Sequence, residues 1–215
     1  VASGRIQSGY CIPESPPPFK PEYLFVRMGG TEVRNRVRGF GACYDDPLPD
    51  LRGFDEMNKN AEILIAAAED AKDIARLSYQ VGKMHDEALP DYFKPTTEEE
   101  HLVIVRKMMA DDNMFLLKAV YDGKICGFIC LFIQETPRNG YVHSKIGYIY
   151  NFGVDEMCRG QGVGSLLLKK AEVFLRDRGV EAIELSVFCF NRRAIGFYER
   201  NGYQALEVNL QKVLK

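Results

Sequence analysis

Residues Arg159, Gly160, Gln161, Gly162, Val163, Gly164 and Ser165 stand between an apolar run, IGYIYNFGV, and a stretch with helical spacing, SLLLKKAEVFLRDRG. A helix start exposes unpaired N–H groups and about half a positive charge, and glycines leave no side chains in the approach. The chemistry offered by such a junction is a cradle for phosphate oxygens. Two familiar phosphate loops do not fit. A Walker A loop needs Gly-Lys-Ser/Thr after four spacers, and that triplet is absent. In the dinucleotide fingerprint G-x-G-x-x-G the third glycine would fall on Ser165 or Leu167. A tight strand-to-helix turn would use the same glycines without any ligand. The surrounding elements have to decide.

The pattern is regular from residue 61. ILIAAAED (63–70) reads as a short buried strand, followed by a helix with Ile74, Leu77, Ser78, Val81 and Met84 on one face. After the proline-containing loop DEALPDYFKP, Thr97 and Glu100 form a capping-box pattern ahead of a second helix. Two apolar strands joined at Asp122-Gly123 come next, then a third over 146–154. The glycine junction opens a helix over 162–178, stopped by Gly179. A strand over 182–188, a short helix from Arg192 to Arg200 and a last strand from Tyr203 complete the order β-α-α-β-β-β-α-β-α-β.

In that setting VDEMCRGQGVGSLLLKKAE resembles the acyl-CoA motif of the GNAT superfamily of N-acetyltransferases, Arg/Gln-x-x-Gly-x-Gly/Ala, through Arg159, Gly162 and Gly164. ELSVFCFNRRAIGFYERNGY (184–203) is similar to the family's next strand, asparagine and tyrosine segment. The resemblance covers about residues 61–215 and implies an α/β (α+β) fold, a mixed, mostly antiparallel central sheet flanked by helices. Acetyl-CoA is the implied co-substrate, with no metal. Its pyrophosphate would lie on the amides of Gly160, Gln161, Gly162, Val163, Gly164 and Ser165, screened by Arg159. Its pantetheine arm would lie along backbone groups of Phe152 and Val154, where strands 149–154 and 183–188 splay apart. Tyr198 matches the family's general acid. Asn191 matches a CoA-contacting asparagine and can also cap the following helix.

The expected reaction is direct attack of a primary amine, from a small molecule or peptide, on the acetyl carbonyl. The alternative is a non-catalytic acyl-CoA sensor or interaction module. Tyr150-Asn151 stand where many relatives carry a glutamate, so the general base is open among Glu135, His143, Glu184 and a water chain. Cys158 and Cys189 flank the expected cleft without a recognisable histidine partner, which favours direct transfer over an acyl-cysteine. Asp86, Glu87 and Asp91 in the loop after the first helix would suit a cationic acceptor, or simply form a solvated acidic loop.

Composition sets the outer limits. The net charge of −2, from 28 basic and 30 acidic side chains, creates no field that would gather nucleic acid or an anionic membrane. No apolar run approaches the ~18 residues of a membrane span, and a cytoplasmic location is expected. Six cysteines without a CxxC pair, together with three histidines, suggest neither a zinc site nor a disulfide framework. Residues 1–60 read as a Pro/Gly-rich extension with a Gly29-Gly30 hairpin whose second arm carries Arg34, Arg36 and Arg38. The oligomeric state is open, a homodimer included.

Overall fold

A computed structural model describes residues 60–135, 140 and 142–214. The hairpin and basic stripe expected within residues 1–60 lie outside them. Strand β1 (Glu62–Ile65) leads through a short 3-10 turn into α1 (Ala71–Ala88) and α2 (Glu98–Ala110). Strands β2 (Met114–Tyr121), β3 (Lys124–Glu135) and β4 (Lys145–Val154) follow, then α3 (Val163–Arg176), β5 (Ala182–Leu185) and α4 (Arg192–Arg200). The sheet order is β1-β2-β3-β4-β5, antiparallel up to β4, with β5 parallel to β4.

Local chemistry places the joints. Asp122 and Gly123 take φ of 49° and 71°, the left-handed pair that a two-residue hairpin turn requires. Thr97 Oγ1 accepts from Glu100 N–H at 3.2 Å while Glu100 Oε2 accepts from Thr97 N–H at 2.8 Å, completing the capping box. At the end of α3, Val180 N–H reaches Leu175 C=O and Gly179 N–H reaches Arg176 C=O, with Gly179 at φ 73°. That is the Schellman closure.

The strands alternate between two cores. Leu117, Ile129, Leu131 and Ile149 face α3, which presents Val163, Leu167, Leu168, Ala171 and Leu175. Leu116, Phe128 and Cys130 face α1 and α2, which present Ile74, Leu77, Val105 and Met108. Covering both faces explains why β3 is an unbroken apolar run. Where α1 meets α2, the His101 ring fills the space beside Gly82, and a Cβ on Gly82 would lie 2.6 Å from His101 Nε2. Gly82→Ala is therefore expected to cost ~1–3 kcal/mol in urea unfolding, as overpacking does elsewhere.

Three expectations are corrected. β1 is four residues long and largely exposed, with Leu64 at 45% and Ile65 at 70%, because it is an edge strand paired only with β2 among the described residues. An apolar run alone does not report burial. β5 ends at Leu185, not 188, because the chain there leaves β4. Residues 203–214 form no strand, although Leu206, Val208 and Leu210 alternate as one would. They meet no partner ladder among the described residues, and alternation without pairing does not make a strand.

Candidate functional site

β4 keeps β3 as a partner as far as Val154, but its last pair with β5 is Ile149 with Leu185. From Tyr150 onward one edge has no strand partner among the described residues. Asp155 N–H donates to Cys126 C=O at 2.9 Å, so by antiparallel alternation Gly153 faces β3 while Phe152 and Val154 turn their backbone groups to the open edge. The Val154 carbonyl already accepts Arg159 Nε at 3.0 Å. The β3 register slips between Cys130 and Leu131, across from Tyr150, and marks a bulge. Consequently Tyr150 and Asn151 both address the α1 and α2 side.

Beside this edge is the glycine turn. Gly160 and Gly162 adopt φ of 79° and 82°, and a Cβ at Gly160 would meet nothing within 4 Å. Gly162 is the N-cap of α3 and supplies no capping side chain; the first helical bond runs from Leu166 N–H to Gly162 C=O at 3.0 Å. The amides of Val163, Gly164 and Ser165 therefore have no intrahelical acceptor, which is the arrangement that receives an anion. Gln161 Nε2 donates to Met157 C=O at 2.9 Å and holds the approach to the turn. Arg159 leans back on Val154 and, at 3.5 Å, on Glu156. Gly164 keeps α3 close to its neighbours: a Cβ there would lie 3.5 Å from Phe197 and 3.7 Å from Phe152.

α4 forms the opposite wall. Asn191 Oδ1 caps it by accepting Ala194 N–H at 3.0 Å, and Nδ2 reaches Met84 Sδ at 4.0 Å. The Tyr198 ring packs against Phe152, with centroids 6.4 Å apart, and burial raises its phenol well above the usual tyrosine range. Phe152, Gly164 and Tyr198 thus pack together beside the 160–165 turn, while Asn191 stands at the N-terminus of α4 against Met84. Burial also raises the Cys158 thiol and pushes Cys126 up to about 11, so neither is a ready thiolate at neutral pH.

α1 roofs the splay. Gln80 lies one turn after Arg76, which pairs with Asp155, and one turn before Met84, which touches Asn191. Its Oε1 is buried and has no hydrogen-bond partner among the described residues. Farther out, His85, Phe93, Phe188 and Phe190 pack ring to ring at 5.2–6.0 Å, with Tyr92 beside them. Periodicity did not single out these rings, because they come from α1, the α1–α2 connection and the segment after β5.

Of the carboxylates and histidines considered as a base, Glu135 pairs with Lys145 and His143 with Glu181 at 3.5 Å, at the end of the sheet away from the splay. Glu184 is paired in register with Tyr148, one residue short of the last β4–β5 pair. Asp86 and Glu87 stand in the last turn of α1 and not in the loop expected there, and Asp86 accepts from both the amide and the hydroxyl of Thr96.

Residues 81–203, more than half of the chain, match the Acetyltransferase (GNAT) family. The mycothiol acetyltransferase of Saccharomonospora viridis is 29% identical over 106 residues, 49% of this chain and 35% of that protein. An uncharacterized N-acetyltransferase of Methanocaldococcus jannaschii is 33% identical over 104 residues, 47% of this chain and 43% of that protein. The chain thus spans less than half the length of these curated relatives. Among solved structures, a variant of the BH1408 protein from Bacillus halodurans aligns with a TM-score of 0.65 at 28% identity, covering 72% of this chain and 99% of that one. An aminoglycoside 6′-N-acetyltransferase from Acinetobacter haemolyticus aligns at 0.56 with 19% identity, covering 72% and 98%, which is a likeness of fold. With the strand order, the splayed edge and the glycine turn in agreement, the chain belongs to the GNAT acetyltransferase family.

Proposed function

We propose that residues 61–215 form an acyl-CoA-dependent N-acyltransferase domain that moves an acetyl group directly from acetyl-CoA to a primary amine, with residues 1–60 as an extension. The observation that carries this reading is the meeting of a β4 edge unpaired among the described residues, an α3 N-terminus without a capping side chain and Tyr198 against Phe152. Acetyl-CoA supplies the activated thioester. The amides from Gly160 to Ser165 hold its pyrophosphate, with Arg159 beside them. Phe152 and Val154 hold the arm as an added strand would be held, the Val154 carbonyl being shared with Arg159.

An outward backbone N–H of β4 can hydrogen-bond the thioester oxygen as charge builds on it. The C–N bond forms and the C–S bond breaks. Tyr198 gives its proton to the departing sulfur, and the product nitrogen releases one to water, from which Tyr198 is reprotonated. The raised thiols argue for this direct route, and Cys158→Ser is expected to keep kcat within about threefold of the parent. A fall beyond tenfold would favour an acyl-cysteine.

The test is release of free thiol from acetyl-CoA with spermidine, kanamycin, phenethylamine and a peptide with a free N-terminus. The relatives named for mycothiol and aminoglycosides support starting with small-molecule amines. Calorimetric binding of acetyl-CoA without thiol release from any acceptor would instead favour the sensor reading.

A further inference from the structure

A line of side chains runs from the open part of β4, beneath α1, to the α1–α2 connection. Asn151 Nδ2 donates to Ser78 Oγ at 3.1 Å, and Ser78 Oγ is 2.8 Å from His101 Nδ1. His101 Nε2 is 3.1 Å from Thr96 Oγ1, and the Thr96 hydroxyl and amide both donate to Asp86 Oδ2, at 3.2 and 3.0 Å. Ser78 and His101 are buried, at 1% and 8% exposure, and Gly82 leaves the room that the imidazole fills. Burial lowers the basicity of His101, although Asp86 and Glu100 pull the other way, so the ring is neutral at pH 7.

The chain has a direction. A carboxylate only accepts, so the single Thr96 hydroxyl proton goes to Asp86. Thr96 Oγ1 must then accept from His101 Nε2–H, which leaves Nδ1 to accept the Ser78 proton. With that proton committed, Ser78 Oγ accepts from Asn151, so the carboxamide presents its NH2 group to Ser78. The reverse order would turn the Thr96 proton to His101 and deprive Asp86 of a charge-assisted bond, which is the stronger kind. In a planar carboxamide, fixing Nδ2 on Ser78 turns Oδ1 the other way.

Asn151 is the second residue past the last β4–β5 pair, on the α1 side of the sheet, whereas Phe152 faces α3. We propose that Asn151 Oδ1 accepts an N–H of the attacking amine, and that Ser78, His101, Thr96 and Asp86 are positioning residues that fix which end of its carboxamide faces that amine. This rests on the acyltransferase reading above. A carboxamide does not take up a proton at neutral pH, so the role is to hold the amine with its lone pair toward the thioester, and the proton leaves to water after attack.

The experiment uses the full chain, acetyl-CoA and the best acceptor from the panel above. Asn151→Ala is expected to lower kcat/KM for the amine about tenfold, the effect of one lost hydrogen bond. Thr96→Val, which touches no substrate, should lower it severalfold, with the Kd for acetyl-CoA unchanged, and Thr96→Ser should restore it. A purely structural chain would lower the melting temperature and leave amine kcat/KM within twofold in both Asn151→Ala and Thr96→Val; that result overturns the proposal. An independent readout is the 15N spectrum of the imidazoles in the parent protein, in which His101 should be the neutral Nε2–H tautomer. The Nδ1–H tautomer would overturn the orientation argument while leaving the acyltransferase reading intact. Failure of the parent to release thiol with any amine would instead sink that reading, and with it the role given to Asn151.

Discussion

Turnover by Tyr198→Phe is expected to fall by about 10²- to 10⁴-fold, the usual contribution of a positioned acid, with acetyl-CoA affinity almost unchanged. The substitution removes one oxygen and keeps the ring that packs on Phe152 and Phe197, so binding and stability have little reason to move. Burial raises the phenol, so Tyr198 remains protonated through neutral pH and for some way above the ~10 at which a free tyrosine ionises. The parent should therefore show no loss of rate from this group on the alkaline side up to at least about pH 10. The departing thiolate needs less help once pH passes its own pKa, near ~8.5 by analogy with cysteine, so the deficit of the variant should shrink there. Steady-state kcat from pH 6 to 10, with chemistry shown to limit by a pre-steady-state burst test, checks both statements. A phenylalanine variant within threefold of the parent at pH 7 would remove Tyr198 from the mechanism.

The parts legible in the sequence are those encoded by a few adjacent residues. Asp122-Gly123, the Thr97–Glu100 box and Gly179 each fix a backbone conformation locally, and each forms as read. The glycine turn was legible for the same reason, since positive φ at Gly160 and Gly162 is written in their identity. Relations across the sheet were not. That β5 stops at Leu185 depends on where β4 and the following segment part, not on the propensity of Ser186, Val187 and Phe188. Asp86 reads as one acid among several in a polar loop, yet its partner is Thr96, ten residues on, and through His101 and Ser78 it reaches Asn151, 73 residues beyond Ser78. No period links such residues. Arg159 fits the motif, but its Nε lies on the Val154 carbonyl, a contact visible only once β4 has ended beside it.

Gly162→Glu is expected to weaken CoA binding by at least ~2 kcal/mol, about thirtyfold in Kd by calorimetry. Three effects act together. Gly162 has φ of 82°, a region in which a side chain is strained, so any residue there shifts the turn that aims the Val163, Gly164 and Ser165 amides. A side chain also fills the approach that the glycine leaves clear. The carboxylate can in addition occupy the positive end of α3 itself, satisfying the amides that would otherwise wait for phosphate. That last effect favours the folded state, so unfolding should change less than binding does. Gly162→Ala separates the contributions: it carries the backbone strain and little else, and should lose only part of the affinity. Added salt should narrow the gap between the glutamate and alanine variants, because screening weakens the carboxylate's hold on the positive end of α3 but not the strain. Parent-like CoA affinity in Gly162→Glu would place the pyrophosphate somewhere other than the α3 N-terminus.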